Sequence, residues 1–523
     1  MKRSTPFVSF AAVALSAALA TGCSDSASDA SAGAGDWAGQ PAPGATGVAP
    51  AGAQDFGLFR QILEAGQIPH PSTLDAVGFF AEHKLDYPAA DCGEDICVHG
   101  LLAVQRNLMT GGQCTLLQVG LNSPVDPREM ARPPLDLVLA LDISGSMRGA
   151  PLRAVIDGLI AMVDHLEPED RVSLVTYDTR AEVVFEDVPG DDHETLLTTF
   201  GGLASRGSTN LYDGLFEAFR LADKAPDPAR QRRVVLLSDG MATAGFEDAG
   251  RMQALATAYA RRGVGLTTIG VGTDFDVELM RSLGEIGAGN FYFLENPEAV
   301  REVFTEEVQT FLVPVALDVR LEVHAGSHYL VRGAYGMPGF SAGLRSGYAE
   351  LPALFLAGRQ RASDAIEGTG RRGGGGGLFI ELMPASRQAE VGEADQVGLV
   401  TLSWTDPTSG ERREQAVDVR NPHGAGEVPT GGHFTDATVE KGFVMLNLLV
   451  GFQLAAELAL DADSGTAIGL LRALRGEVAA WLASHDDDDI ADDLRYVDLF
   501  IANLEARGLN TPVFQPPEPW PQD

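Results

Sequence analysis

Asp142, Ser144 and Ser146 stand at alternating positions in the stretch DISGSM, residues 142–147. On an extended backbone successive side chains point to opposite sides, so these three project together and set one carboxylate beside two hydroxyls. Such a group suits a small, hard divalent cation. Mg²⁺ takes oxygen ligands at about 2.0–2.1 Å in a near-octahedral shell and keeps some of its waters. Neutral hydroxyls fill that shell without cancelling the ion's charge, so attraction remains for an acidic group arriving from outside. Two more stretches offer oxygens of the same kind: SRGSTNLYDG, with Thr209 at a helix start, and VVLLSDG, with Asp239 where a strand ends. Mg²⁺ is the expected cofactor, with Mn²⁺ or Ca²⁺ as chemically similar occupants.

These residues need a frame that brings three separate turns together. LVLALD, ending at Asp142, reads as a buried strand, and PLRAVIDGLIAMVDHL after it carries Leu152, Val155, Ile156, Leu159, Ile160 and Val163 at helical spacing. Pro151 suits the first turn. The alternation continues through the strand DRVSLVTYD, an edge strand AEVVFEDV, helices from about residues 194 and 211, the strand RRVVLLSDG and the helix EDAGRMQALATAYARRG. It closes with the strand GLTTIGVG, a helix at VELMRSLGEIG, the strand NFYFLE and the helix PEAVREVFTEEVQTF. Strands alternating with helices predict an α/β unit over residues 131–312, a doubly wound and mostly parallel sheet with helices on both faces. Ligands of such sheets settle beyond the carboxyl ends of the strands, where strand order reverses. Asp142 leaves a strand at such an end.

DISGSM, Thr209 and LSDG in this order, with a strand before and a helix after the first, resemble the von Willebrand factor type A domain and its metal-ion-dependent adhesion site. The segment IGVGTDFDVELMRSLGEIGAGNFYFLEN resembles the last strands and helix of that family. The resemblance implies that Ser144, Ser146 and Thr209 are hydroxyl ligands, and that Asp142 and Asp239 act directly or through water. It further implies that the bound ion takes an Asp or Glu carboxylate of a protein partner.

The flanking segments read differently. Residues 313–430 hold short strand-like runs between turns, VALDVRLEVHA, HYLVRGAYG, GLFIELMPA and VGLVTLSWTD, as in a β-sandwich. GTGRRGGGGGLF lacks the Gly-Lys-Ser/Thr ending of a nucleotide loop and precedes a strand, so it is a connecting loop. Residues 55–130 open with a helix and continue with ICVHGLLAV and CTLLQVGLN, strands able to join the same sandwich and so make the α/β unit an insertion. Residues 431–510 return to helical periodicity, and 511–523 form a tail. Across these regions the chain is similar to bacterial lipoproteins that carry a type A domain.

Lys2 and Arg3 precede an apolar run too short to span a bilayer, and ATGC follows, so residues 1–22 resemble a lipoprotein signal with Cys23 as the lipidated residue. Residues 23–54, rich in Ala, Gly, Ser and Pro, are expected to be a disordered tether spanning roughly 30 Å. Ser24 after the cysteine points to the outer rather than the inner membrane. No later segment reads as membrane-spanning, so the remainder is expected to be a soluble part of the cell envelope. The charge of −35, from 73 acidic against 38 basic residues, disfavours nucleic acid as a partner. Cys92, Cys97 and Cys114 are left to form one disulfide of undetermined pairing and one free thiol.

No His-Glu-x-x-His or Gly-x-Ser-x-Gly stretch is present, and no histidine near Ser144 or Ser146 offers a base, so an enzyme is not expected. DADSG at 461–465 lacks the spacing of a calcium loop, and HDDDDIADD at 485–493 suits a helix start. The expected role is a lipid-anchored binding protein, adhesin or receptor. The alternative is a scaffold or regulatory subunit of an envelope transport complex that assembles without metal.

Overall fold

The computed structural model describes residues 46–50, 56–125, 133–224, 230–239, 243–271, 276–286, 288–294, 314–337, 339–356, 376–385, 395–407 and 409–507, with Asp227 and Met241. The signal segment, Cys23, the helix expected at 297–311 and the tail lie outside the described residues.

The α/β unit is built on strands β4 (Leu135–Asp142), β5 (Arg171–Tyr177), β6 (Ala181–Pro189), β7 (Gln231–Ser238), β8 (Val264–Val271) and β9 (Ala288–Leu294). They lie in the order β6-β5-β4-β7-β8-β9, parallel except for β6, which runs antiparallel along the edge. Helices α3 (Ala150–Val163), α4 (His193–Gly201), α5 (Leu211–Ala222), α6 (Ala249–Ala260) and α7 (Val277–Ile286) cover its faces. Strand periodicity divides the core. Leu137, Leu139 and Leu141 of β4 pack with Leu152, Val155 and Leu159 of α3. Val138 and Ala140, pointing the other way, pack with Leu215 and Phe219 of α5 and Met252 of α6. The chain passes from β4 to β5 on one side and later returns to β7 on the other. Strand order therefore reverses at β4.

The second sheet takes strands from both sides of this unit. Strands β1 (Thr46–Pro50), β2 (Cys97–Arg106) and β3 (Gln113–Ser123) come from before it. After it come β10 (Pro314–Ala325), β11 (Tyr329–Tyr335), β12 (Ser341–Ala342), β13 (Ser346–Leu356), β14 (Gly377–Pro384), β15 (Asp395–Thr405), β16 (Arg412–Asn421) and β17 (His433–Phe434). Their main path is β11-β14-β3-β1-β13-β10-β15-β16. The two halves fold over one another: Leu102, Leu117 and Val119 share a core with Leu321, Val400, Leu402 and Val419. Gly100 of β2 lies so close to Val419 of β16 that a Cβ there would fall 2.4 Å from its methyl carbon. The α/β unit is thus inserted between strands of one sandwich-like body.

Thr46–Pro50 corrects the expectation of a tether running to residue 54. This segment is β1, pairing with β13 through Val48 and Leu356 and with β3 through Gly47 and Asn122, so it joins the two halves. Val48 is fully buried. Composition hid it because ladder hydrogen bonds, not side chains, hold most of such a strand.

Helices α1 (Gly57–Glu64), α2 (Ala76–Ala81), α8 (Ala437–Leu460), α9 (Ser464–Leu482) and α10 (Asp488–Ala506) form the third body. Helix α8 is long and apolar enough to cross a membrane by length and composition, against the sequence expectation that no later segment reads that way. Most of its apolar surface is covered within the protein, where Phe443, Leu448, Leu449 and Phe452 sit at the centre of the helical core. Asp463 and Asp487 cap α9 and α10 by accepting from the amides of Thr466 and Ile490, so DADSG and the acidic run are helix starts. Lys441 of α8 pairs with Asp487 and Asp489, at 2.8 and 3.0 Å. His83, after α2, hydrogen-bonds Asp493 at 2.7 Å and the Phe79 carbonyl at 2.6 Å, a buried pair that joins residues 410 apart.

Candidate metal centre

Asp142 ends β4, the strand at which the sheet order reverses, and its side chain is fully buried. Oδ1 accepts the Ser144 amide at 2.8 Å, and Oδ2 accepts the Ser238 hydroxyl at 2.8 Å. Ser144 Oγ lies 2.9 Å from Ser146 Oγ, and Ser146 Oγ donates to Asp239 Oδ1 at 2.7 Å. Asp142, Ser144, Ser146 and Asp239 are thereby linked in one chain of contacts. Ser144, Thr209 and Asp239 are buried, whereas Ser146 reaches the surface.

Backbone hydrogen bonds bring in the loop of Thr209. The Arg206 amide donates to the Ile143 carbonyl at 2.5 Å, and the Gly145 amide to the Gly207 carbonyl at 3.1 Å, tying residues 206–207 to the DISGSM turn. Gly207 has φ +72°, which favours glycine. On its other flank, the Thr209 amide donates to Thr243 Oγ1 at 3.1 Å, and its carbonyl accepts the amides of Thr243 and Ala244 at 2.9 and 3.1 Å. Three turns are thus stitched at one end of the sheet, each presenting a residue that the sequence singled out.

Burial pushes the Asp142 carboxyl up to about 6, and the nearby negative charge of Asp239 adds to this. The Ser144 amide and the Ser144 and Ser238 hydroxyls oppose the rise. A buried carboxylate beside a second carboxylate gains from added positive charge. Asp142 and Asp239 with the Ser144 and Ser146 hydroxyls make a linked all-oxygen set containing two carboxylates, a donor chemistry that suits Mg²⁺ or Mn²⁺, and the Thr209 loop is joined to it through backbone hydrogen bonds. It is not an acidic cage: among the described residues no three His, Cys, Asp or Glu side chains cluster as ligands.

Three supporting residues were missed from sequence. Ser238 holds Asp142, Thr243 holds Thr209, and the buried Tyr177 hydroxyl donates to the Leu237 carbonyl at 2.7 Å, fixing β7 against β5. Ser238 had a signal, since it immediately precedes Asp239 where the same apolar strand leaves the core. Thr243 and Tyr177 had none.

Residues 136–306 match the family model of the von Willebrand factor type A domain. The central α/β unit is such a domain. The uncharacterized protein YfbK of Escherichia coli is 27% identical over 213 residues, which cover 40% of this chain and 37% of that protein. The uncharacterized protein sll0103 of Synechocystis sp. is 28% identical over 211 residues, covering 40% of this chain and 49% of that one. The chain thus spans less than half the length of either relative. Among solved structures, a von Willebrand factor type A protein from Catenulispora acidiphila is similar over 79% of this chain and 97% of its own, at 16% identity and a TM-score of 0.44.

The described cysteines belong to the region of β2 and β3. Cys92 and Cys97 form a disulfide that anchors the loop before β2 to that strand's first residue, and Cys114 is free and buried in β3, with its thiol directed at Glu381.

Proposed function

We propose that this protein is a binding module of the cell envelope. Asp142, Ser144, Ser146, Thr209 and Asp239 hold a divalent cation, directly or through water, and the partner is a protein presenting an Asp or Glu carboxylate. The observation that carries this reading is the contact chain Asp142–Ser144–Ser146–Asp239 across two turns at the carboxyl end of the sheet. When bound, the cation supplies a Lewis-acid centre that attracts an anionic oxygen. The residues of this chain supply the rest: Asp142 and Asp239 give charge, the hydroxyls fill positions without neutralising the site, and the exposed Ser146 marks the side open to a partner. Type A domains serve protein–protein interaction and adhesion.

Lipidation at Cys23, with outer-membrane placement, rests on the sequence pattern at 20–24. The metal reading is tested by calorimetric titration of the chain lacking residues 1–23 with MgCl₂ and MnCl₂. Asp239→Ala should weaken binding at least about tenfold, the scale of one lost charged contact; unchanged affinity would refute it. Crosslinked pull-down from intact cells with and without EDTA separates it from the scaffold alternative, since capture indifferent to EDTA favours the scaffold.

A further inference from the structure

A fourth turn stands at the carboxyl end of the sheet and supplies none of the side chains proposed as ligands. It joins β5 to the edge strand β6 through Asp178, Thr179 and Arg180. At its start the Tyr177 carbonyl accepts the Ile143 amide at 2.9 Å, which ties it to the DISGSM turn. Beyond that contact it grips the loop that carries Thr209. Asp178 Oδ2 accepts from Arg206 Nε at 2.7 Å, Thr179 Oγ1 accepts the Ser208 amide at 3.3 Å, and the Asp178 carbonyl accepts the Asn210 amide at 2.7 Å. The Asn210 side-chain amide donates to the Thr179 carbonyl at 3.3 Å. The Arg206 guanidinium also reaches Glu182 of β6, at 2.8 Å.

Residues 206, 208 and 210 therefore lean on the turn after β5, while Gly207 and Thr209 between them bond to the DISGSM turn and to the turn after β7. Such alternation is what an extended segment clamped from two sides shows. The fit is close, since a Cβ at Gly207 would fall 2.9 Å from Thr179 Oγ1 and 3.0 Å from Asp178 Cβ. Arg206 and Ser208 are exposed and Thr209 and Asn210 buried, so the clamp begins at the surface and ends beside the candidate ligand. We infer that Asp178 and Arg206 are positioning residues for the metal centre, which clamp the loop from outside and so fix the place of Thr209. Neither is a ligand; both act through Thr209. This inference rests on the metal-binding reading above and adds residues that tune its affinity.

Charge makes the sign of the effect decisive. A guanidinium on the loop of a cation site repels the ion, so on electrostatic grounds alone its removal would tighten binding. Removal of a clamp does the opposite, because ordering the freed loop then costs part of the binding free energy. Arg206 is exposed, so Arg206→Ala should leave the fold intact. Calorimetric titration of the chain lacking residues 1–23 with MgCl₂ should show this variant binding about threefold more weakly, the scale of one exposed ion pair. Arg206→Lys, which keeps a cation for Asp178, should recover most of the loss. In a Thr209→Ala background Arg206→Ala should have no further effect, because the two substitutions act through one side chain. Hydrogen exchange in EDTA gives a readout independent of the ion: the amides of Ser208 and Asn210 should exchange faster in Arg206→Ala, with those of β5 and β7 unchanged. Equal or tighter Mg²⁺ binding in Arg206→Ala overturns the inference, as does unchanged exchange at Ser208 and Asn210, or a threefold loss that persists in the Thr209→Ala background. Failure of the unaltered chain to bind Mg²⁺ overturns the metal-binding reading, and the inference with it.

Discussion

Ser146 Oγ donates a 2.7 Å hydrogen bond to Asp239 Oδ1 across 93 residues of sequence. This contact closes the DISGSM turn onto the turn after β7 and sets two candidate ligands side by side. Ser146→Ala should weaken Mg²⁺ binding several-fold and Asp239→Ala at least about tenfold. Because Ser146 is exposed, its loss should change metal-free stability by no more than about 0.5 kcal/mol. Calorimetric titration and thermal melts in EDTA separate the two effects.

Glu285 on α7 faces the segment before α2. Burial pushes its carboxyl up to about 7, the Asp75 charge adds to this, and Arg281, 4.0 Å from Asp75, opposes it. A raised carboxyl means the folded protein holds the proton more tightly than the unfolded chain. The resulting stability is complete below the unfolded value of 4.5 and is lost as pH rises through about 7. Allowing for partial solvent access, the change should be about 1–2 kcal/mol. Glu285→Gln should flatten the stability profile between these limits and raise stability at pH 8. Denaturant melts at pH 5 and 8 measure it.

Helix α1 belongs to two cores at once. Leu58 and Ile62 pack with the sheet of the type A domain, while Phe59 and Leu63 pack with Phe452 and Phe500 of the helical bundle. Ile62→Ala and Leu63→Ala should each cost about 2–5 kcal/mol. Hydrogen exchange should place the loss differently, in β4 and β7 for Ile62→Ala, and in α8 and α10 for Leu63→Ala.

Cys114 is buried, and burial together with the Glu381 charge pushes its thiol well up, which makes it unreactive. Residues 56–507 should therefore show no reactive thiol when native and one when unfolded without reductant. Reduction of Cys92–Cys97, which closes a short loop, should cost about 2 kcal/mol by chain entropy. Thiol titration with and without guanidinium, and melts with and without reductant, test both.

The alternation of strand and helix was legible along the central unit because each strand there is a continuous apolar run and each helix a stripe. The antiparallel edge strand β6 was equally legible from its alternating pattern, which the structure shows as half-exposed. Residues 46–50 were not, since a small-residue strand held by backbone pairing has the composition of a linker. Helix α8 was read as an ordinary amphipathic helix, yet it is apolar nearly all round because other elements enclose it.

Sequence alone determined which side chains carry oxygens of the kind a hard cation takes, because residue type and the period of two along an extended turn are local properties. It also determined that three separate turns would have to deliver them. Only the tertiary structure decided that Ser238 holds Asp142, that Thr243 holds Thr209, and that Asp178 holds Arg206. Those relationships join residues 28 to 96 positions apart, and they follow from strand order and loop packing, which no local pattern encodes.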